Sequence, residues 1–318
     1  MNEEILIRFR NVGLVTILFV YLVISAGSIV RASGAGMGCP DWPTCFGQWI
    51  PPTEEAQLPS NYHEIYAARG YENTEFNPVK TWTEYTNRLI GVTLGLLVLA
   101  TAWTSRHYLK GDKTVFYLSL ATVFLIGFQG WLGSVVVASN LQPLKITLHM
   151  GLALVLAALL IYTVTRSQQD FLIKLDLSAL PPKVELVLKI ALGMTLLQII
   201  MGTQVREVID GLYNSNLARE LWRDNFPVLF YIHRSFSSII LFTNLWIVWT
   251  MFRSLGKENL LFKFAVALAC AILTGILAGV SLDRLGMPAS AQPVHLVMAN
   301  LIFGLQLFLF LAFGYAKK

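Results

Sequence analysis

Apolar residues run along this chain in eight long blocks, near 12–32, 85–105, 115–137, 146–165, 186–206, 228–252, 262–282 and 292–314, separated by polar stretches of which one is long. Each block approaches the roughly 20 residues that a helix needs to cross a bilayer. Such continuous runs exceed the alternating segments of about 10 residues that build a membrane barrel, and a helix satisfies its own backbone groups inside hydrocarbon. The pattern predicts an all-α polytopic membrane protein with eight transmembrane helices. The first block resembles an export signal, and Ala32-Ser33-Gly34 offers small residues for cleavage. It is longer than the usual apolar region of about 7–15 residues, however, and carries a repeated motif, so it is read as span 1.

That motif is Gly27-Ser28-Ile29-Val30-Arg31, which returns as Gly202-Thr203-Gln204-Val205-Arg206 at the matching point of span 5. The next spans open with Asn87-Arg88 and His233-Arg234; Gly130-x-Leu132 then pairs with Gly275-x-Leu277, and His149 with His295. A doubled four-helix unit accounts for the series and predicts two pseudo-symmetric four-helix bundles. The expected organisation is an N-terminal half over 1–166 with a long external loop at 33–84, a connector over 167–185 containing Pro181 and Pro182, and a C-terminal half over 186–318. The loop's Pro, Asn and Glu content suggests irregular structure with a short helix near 61–70, able to cap a pocket.

Composition agrees with a membrane protein: of 318 residues 55% are hydrophobic and 14% charged, and the mean hydropathy is +0.59. The net charge of +5 does not point to nucleic acid, because the basic residues are spread over short loops. Arg8 and Arg10 precede span 1; Arg106, Lys110 and Lys113 follow span 2; Arg166, Lys174 and Lys183 follow span 4; Arg253, Lys257 and Lys263 follow span 6; Lys317 and Lys318 end the chain. The positive-inside rule places these segments and both termini in the cytoplasm. The stretch 33–84, with Asp41, Glu54, Glu55, Glu64, Glu72, Glu75 and Glu84 against Arg69 and Lys80, is then external. Parallel halves that each begin and end inside argue against the inverted repeats of many transporters. Cys39 and Cys45 flank five residues of the external loop, where an oxidising compartment permits a disulfide. Cys270 reads as a small apolar residue within span 7.

Spans 2, 4, 6 and 8 start at the outer face, which puts Asn87, His149, His233 and His295 at a common depth within about two turns, or roughly 10 Å. Polar groups left unpaired in hydrocarbon cost several kcal/mol, so three membrane-embedded histidines at one level call for a ligand or for interhelical hydrogen bonds. Haem suits the pattern: a histidine from each of two helices can take both axial positions of a porphyrin iron. Zinc prefers four clustered ligands, and no cysteine or carboxylate accompanies both histidines of a half; copper fits less well. Arg31, Arg88, Arg206 and Arg234 can meet haem propionates through charge-assisted hydrogen bonds, or snorkel to head groups. His63 and His107 read as solvated side chains.

The halves differ chemically. His233 and His295 can saturate an iron, which suits electron transfer, whereas His149 faces Asn87, an amide that ligates iron poorly. Glu84 lies three residues before Asn87 on the same helical face. It is a candidate acid–base or cation-stabilising carboxylate, or else a solvated residue at a helix entrance.

Glu84-Tyr85-Thr86-Asn87-Arg88, the end of span 1 followed by Gly34-Ala35-Gly36-Met37-Gly38-Cys39-Pro40-Asp41-Trp42-Pro43, and the three helical histidines together resemble the haem A synthases over nearly the whole chain. The resemblance implies oxidation of a ring methyl of haem O to a formyl group, giving haem A for cytochrome oxidase. It also implies haem b on His233 and His295, substrate haem at His149, and an essential Glu84. Haem O synthase is the implied donor of substrate. Two departures stand out: Asn87 occupies a position where the family carries histidine, and residues 207–227 lack the cysteines some relatives have. Asn87 then donates to an iron-bound water, leaves the iron open, or is replaced by His63. The rival readings are a bis-histidine membrane cytochrome that only carries electrons and a transporter of haem or a small solute. Electron acceptor and oxygen source are not encoded, nor is oligomeric state, although lipid-facing small residues can support self-association.

Overall fold

The computed structural model describes residues 3–215, 217–218 and 221–317, so Lys318 of the C-terminal charge pair falls outside it. Among these residues there are ten α-helices and no named strand: α1 (Glu3–Ala32), the short α2 (Tyr62–Ile65), α3 (Pro78–Ser105), α4 (Lys113–Ala138), α5 (Pro143–Ser167), the short α6 (Gln169–Leu172), α7 (Lys183–Asn214), α8 (Val228–Ser254), α9 (Leu260–Arg284) and α10 (Ala291–Ala316). All but α2 and α6 are long and apolar enough to span a membrane, which bears out the eight expected spans.

The helices outrun the apolar blocks because caps, not hydropathy, fix their ends. α3 starts at Pro78, seven residues earlier than the apolar run: the Asn77 side chain accepts from the Lys80 N–H at 3.0 Å, and proline takes the first turn, where its missing N–H costs nothing. Asp112 and Asn259 cap α4 and α9 in the same way, through the N–H groups of Thr114 and Leu261. The long loop therefore covers 33–77, and Glu84 lies in the second turn of a helix, not at its entrance. The short helix expected near 61–70 is present as α2 with a 3₁₀ turn at Ala67–Arg69. The helical turn α6 in the connector was not anticipated.

The chain divides into two compact units, Met1–Val164 and Thr165–Lys318. In the first, α1 packs on α3 and α3 on α4, around Val20, Leu94, Val98, Leu156 and Leu160. In the second, α7, α8, α9 and α10 enclose Leu188, Ile247, Met251, Leu261, Leu268 and Leu309. A membrane supplies no hydrophobic drive between spans, so interhelical polar pairs help set register. Asn244 on α8 accepts from Gln306 on α10 at 2.7 Å, both fully buried. In the first unit Thr16 meets Thr101 at 2.8 Å between α1 and α3.

The long loop folds on a core of its own. Phe46 is ringed edge-on by Tyr62, Tyr66, Tyr71 and Phe76, with centroids 5.2–6.4 Å away. Asp41 turns its carboxylate onto the N–H groups of Phe46 and Gly47 and the Thr44 hydroxyl. Cys39 and Cys45 form the expected disulfide and are fully buried. The loop rests on the start of α3 so closely that a Cβ at Gly38 would collide with the Lys80 carbonyl.

Candidate functional site

Each of the four positions singled out in the sequence lies against a glycine of a neighbouring helix. A Cβ at Gly27 on α1 would come 3.9 Å from Asn87 Oδ1; at Gly133 on α4, 3.3 Å from His149 Cε1; at Gly202 on α7, 3.3 Å from His233 Cε1; and at Gly279 on α9, 3.1 Å from His295 Cε1. At Gly133, Gly202 and Gly279 a side chain would press on the imidazole, whereas at Gly27 a Cβ would make ordinary contact with Asn87. Gly27 and Gly202 were evident from the repeat. The other two were missed: the repeat drew attention to Gly130 and Gly275, but a Cβ at Gly130 would meet nothing within 4 Å.

Glutamine completes two of these cradles. Gln129 on α4 donates to the backbone carbonyl of His149 at 3.0 Å, and Gln198 on α7 donates to that of His233 at 2.9 Å. Both stand four residues before the cradle glycine, so a search for Gln-x-x-x-Gly would have found them. On α9 the place is taken by Gly275, whose carbonyl bonds His295 Nδ1 at 3.1 Å.

The rings of His233 and His295 face each other in the second unit, with centroids 6.4 Å apart and planes at 79°. This spacing permits an iron between them: imidazole nitrogens bind metals at about 2 Å, which puts the centres of two axial rings roughly 6 Å apart. His295 also follows the usual rule that a ligating histidine commits its other nitrogen to a carbonyl. The Nδ1 atoms of His233 and His149 are buried without a hydrogen-bond partner, as is Asn87 Oδ1. Buried polar atoms of native proteins are almost always paired, so each of these three is open to a further partner. Among the described residues no three His, Cys, Asp or Glu side chains cluster as a metal-ion site. The donor set thus fits a metal carried in its own equatorial ring. His107 lies near the far end of α3, and His63 is held in the loop by the Tyr71 carbonyl at 2.7 Å and stacked on Tyr62.

The charged residues are arranged differently in the two units. Arg234 and Arg223 both reach Asp283 on α9, at 3.7 and 3.2 Å, and Arg284 does so at 3.4 Å. Three guanidinium groups around one carboxylate leave an excess of positive charge beside His233. Arg206 binds Gln292 and Asp210 at 2.5 and 2.8 Å. In the first unit Arg31 extends to Met150 Sδ at 3.8 Å, next to His149. Arg88 is committed elsewhere: it donates to the carbonyls of Cys39, Asp41 and Thr44 at 3.1, 2.8 and 2.9 Å and to Glu84 at 2.5 Å. Glu84, 3% exposed, takes the Cys39 N–H on its other oxygen at 2.8 Å. Glu84 and Arg88 therefore clamp the disulfide-closed loop onto the helix that carries Asn87.

Fold and site together define a polytopic helical membrane protein whose second unit brings two histidines on different helices, His233 and His295, face to face. A family model described as cytochrome oxidase assembly protein, COX15-CtaA, matches residues 10–307, and the chain belongs to that family. It is similar to the heme A synthase of Shewanella oneidensis, 37% identical over 158 residues that cover 49% of this chain and 45% of that protein. It is also similar to the heme A synthase of Shouchella clausii, at 32% over 143 residues covering 45% and 40%. The heme A synthase of Orientia tsutsugamushi aligns over 93% of both chains at 25% identity. In the first two cases the match spans less than half of the relative's length.

Proposed function

We propose that this protein is a haem A synthase: an oxidoreductase that converts a ring methyl of haem O to a formyl group, for use in cytochrome oxidase. The observation that carries the reading is the opposed pair His233 and His295, backed by Gly202 and Gly279. Membership of the cytochrome oxidase assembly family supports it. His233 and His295 would hold a resident haem b, with Arg206 and Arg234 turned toward its propionates. Iron bound by two imidazoles supplies one-electron transfer. His149 would ligate substrate haem O, with Asn87 and Arg31 beside it.

The protein's part is to position and to balance charge. Gln198 and the Gly275 carbonyl fix His233 and His295, and Gln129 fixes His149. Methyl to formyl is a four-electron oxidation that releases protons and gains one oxygen. Glu84 is the carboxylate assigned to this site. Both its oxygens are already held, one by the Cys39 N–H and one by Arg88, so in this reading it acts as a fixed group and not as a mobile proton carrier. Arg88 in this reading serves the loop more than a propionate. The basic residues at the inner ends of the spans support cytoplasmic termini and porphyrin sites toward the outer face. Haem O synthase would supply the substrate.

Extraction of pigments from the purified protein, with identification by mass, tests the proposal. Haem b together with haem O or haem A is the expected result. Haem b alone from both units would favour an electron carrier, and solute uptake into vesicles without pigment would favour a transporter.

A further inference from the structure

The first unit contains a groove of about 600 Å³ between α1 and α3, walled by Leu22, Ser25, Ala26, Thr83 and Thr86, with Asn87 among its lining residues. Two buried polar atoms without a partner, Asn87 Oδ1 and Trp82 Nε1, belong to residues that line it. The repeat places bulkier residues at several matching positions of the second unit, although Trp82 corresponds there to the smaller Val228. With Gly27 aligned to Gly202, Ser25 and Ala26 correspond to Ile200 and Met201. With Asn87 aligned to His233, Thr83 and Thr86 correspond to Leu229 and Ile232. Four small side chains in the first unit thus face four bulky ones in the second, although the cradle glycine beside each position is kept.

We infer that the groove receives the hydroxylated isoprenoid tail of the substrate porphyrin, that Asn87 Oδ1 accepts the hydroxyl, and that the groove selects the tailed haem for the first unit. The identity of the ligand rests on the haem A synthase reading. Protohaem lacks this tail; haem O carries a farnesyl chain on a hydroxyethyl carbon. Scaled per carbon from the ~150 Å³ apolar cavity that holds benzene, a farnesyl chain occupies roughly 400 Å³, which the groove accommodates. Asn87, the position assigned beside the substrate porphyrin, is itself among the groove's lining residues, and the exposed rim residues Ile29 and Val79 open it outward. A chain as apolar as lipid can lie there at no solvation cost, while the one polar group finds its only need met at Asn87.

The test copies the second unit's side chains into the first. The full-length protein and its Ser25→Ile/Thr86→Ile variant are titrated in lipid nanodiscs with haem O and, separately, with protohaem. A photoreactive diazirine analogue of farnesol, which has no porphyrin, is crosslinked in parallel and mapped by peptide mass. The expected result is at least a tenfold loss of haem O affinity in the variant with protohaem uptake at His233 and His295 unchanged, the latter showing that the variant is folded. Crosslinks are expected on α1 and α3 in the parent protein, diminished in the variant and in Asn87→Leu. Equal haem O affinity in parent and variant, or crosslinks distributed evenly over lipid-facing helices, would overturn the inference. Crosslinks in the groove of a protein that never takes up haem O would sustain the groove's ligand class and overturn the haem A synthase reading instead.

Discussion

Replacing Arg88 with glutamine should loosen the disulfide loop much more than replacing Glu84 and Arg88 together. A single guanidinium makes four contacts, to the Glu84 carboxylate and to the carbonyls of Cys39, Asp41 and Thr44. The pair is well buried, with side-chain exposures of 13% for Arg88 and 5% for Glu84. Arg88→Gln strands a buried carboxylate, at a cost of about 3–5 kcal/mol. Each loop carbonyl left unpaired adds on the order of 1 kcal/mol. In Glu84→Gln/Arg88→Gln the stranded charge is gone, so only the smaller cost of the carbonyls remains. Cys39 and Cys45 are both 0% exposed, so a reductant reaches them only after the loop opens. A loss of about 3 kcal/mol in the opening free energy corresponds to more than a hundredfold faster reduction. The assay is the rate at which a polyethylene-glycol maleimide adds mass to the chain under dilute phosphine. Rates ordered Arg88→Gln, then the double variant, then the parent protein agree with the clamp. Equal rates for Arg88→Gln and the parent would refute it, and equal rates for single and double variants would refute the role of the stranded charge.

Three other outcomes follow from the geometry. Gly202→Val places methyl groups against His233 Cε1, already 3.3 Å from a Cβ at that position, and should remove most of the haem b absorption; Gly193→Val on the same helix, where a Cβ meets nothing within 4 Å, should not. Glu84→Ala should accumulate haem O or a hydroxylated intermediate while keeping haem b, and normal haem A output from that variant would take Glu84 out of the chemistry. Burial raises the Tyr71 phenol above its ordinary pKa, its hydroxyl donating to the Met37 carbonyl at 2.8 Å. The unfolded loop then loses this proton first, near pH 10, so the folded loop holds more protons and its stability falls as pH rises above about 10. Protection of loop amides from hydrogen exchange should therefore be flat to about pH 9 and, after correction for intrinsic rates, decline beyond it; in Tyr71→Phe the decline should shrink.

What could be read from the sequence divides along physical lines. The eight spans were legible because hydrocarbon demands a long apolar run and admits no substitute, and the histidines stood out because a buried imidazole there is costly. Helix ends were not: residues 78–84 include Lys80, Thr81, Thr83 and Glu84 and read as loop, although Asn77-Pro78 is a helix-start signal that hydropathy ignores. The pairing of Cys39 with Cys45 was evident from their closeness in an external loop. The cradle was only half visible, since 23 glycines offer many candidates and only packing tells Gly133 from Gly130. The clamp was hidden for a different reason. Arg88 binds backbone carbonyls, and these carry no sequence signature. Arg88 beside a ligand position suggested propionates; its guanidinium instead serves the loop.

The central claim is that His233 and His295 grip one iron porphyrin from its two faces. Low-temperature electron paramagnetic resonance of the oxidised, purified protein tests it most directly, on the parent chain and on His233→Ala and His295→Ala. The account predicts a low-spin ferric signal of the two-imidazole type in the parent, converted to high spin or lost in each variant. A parent protein without that signal, or variants that keep it unaltered, would contradict the account.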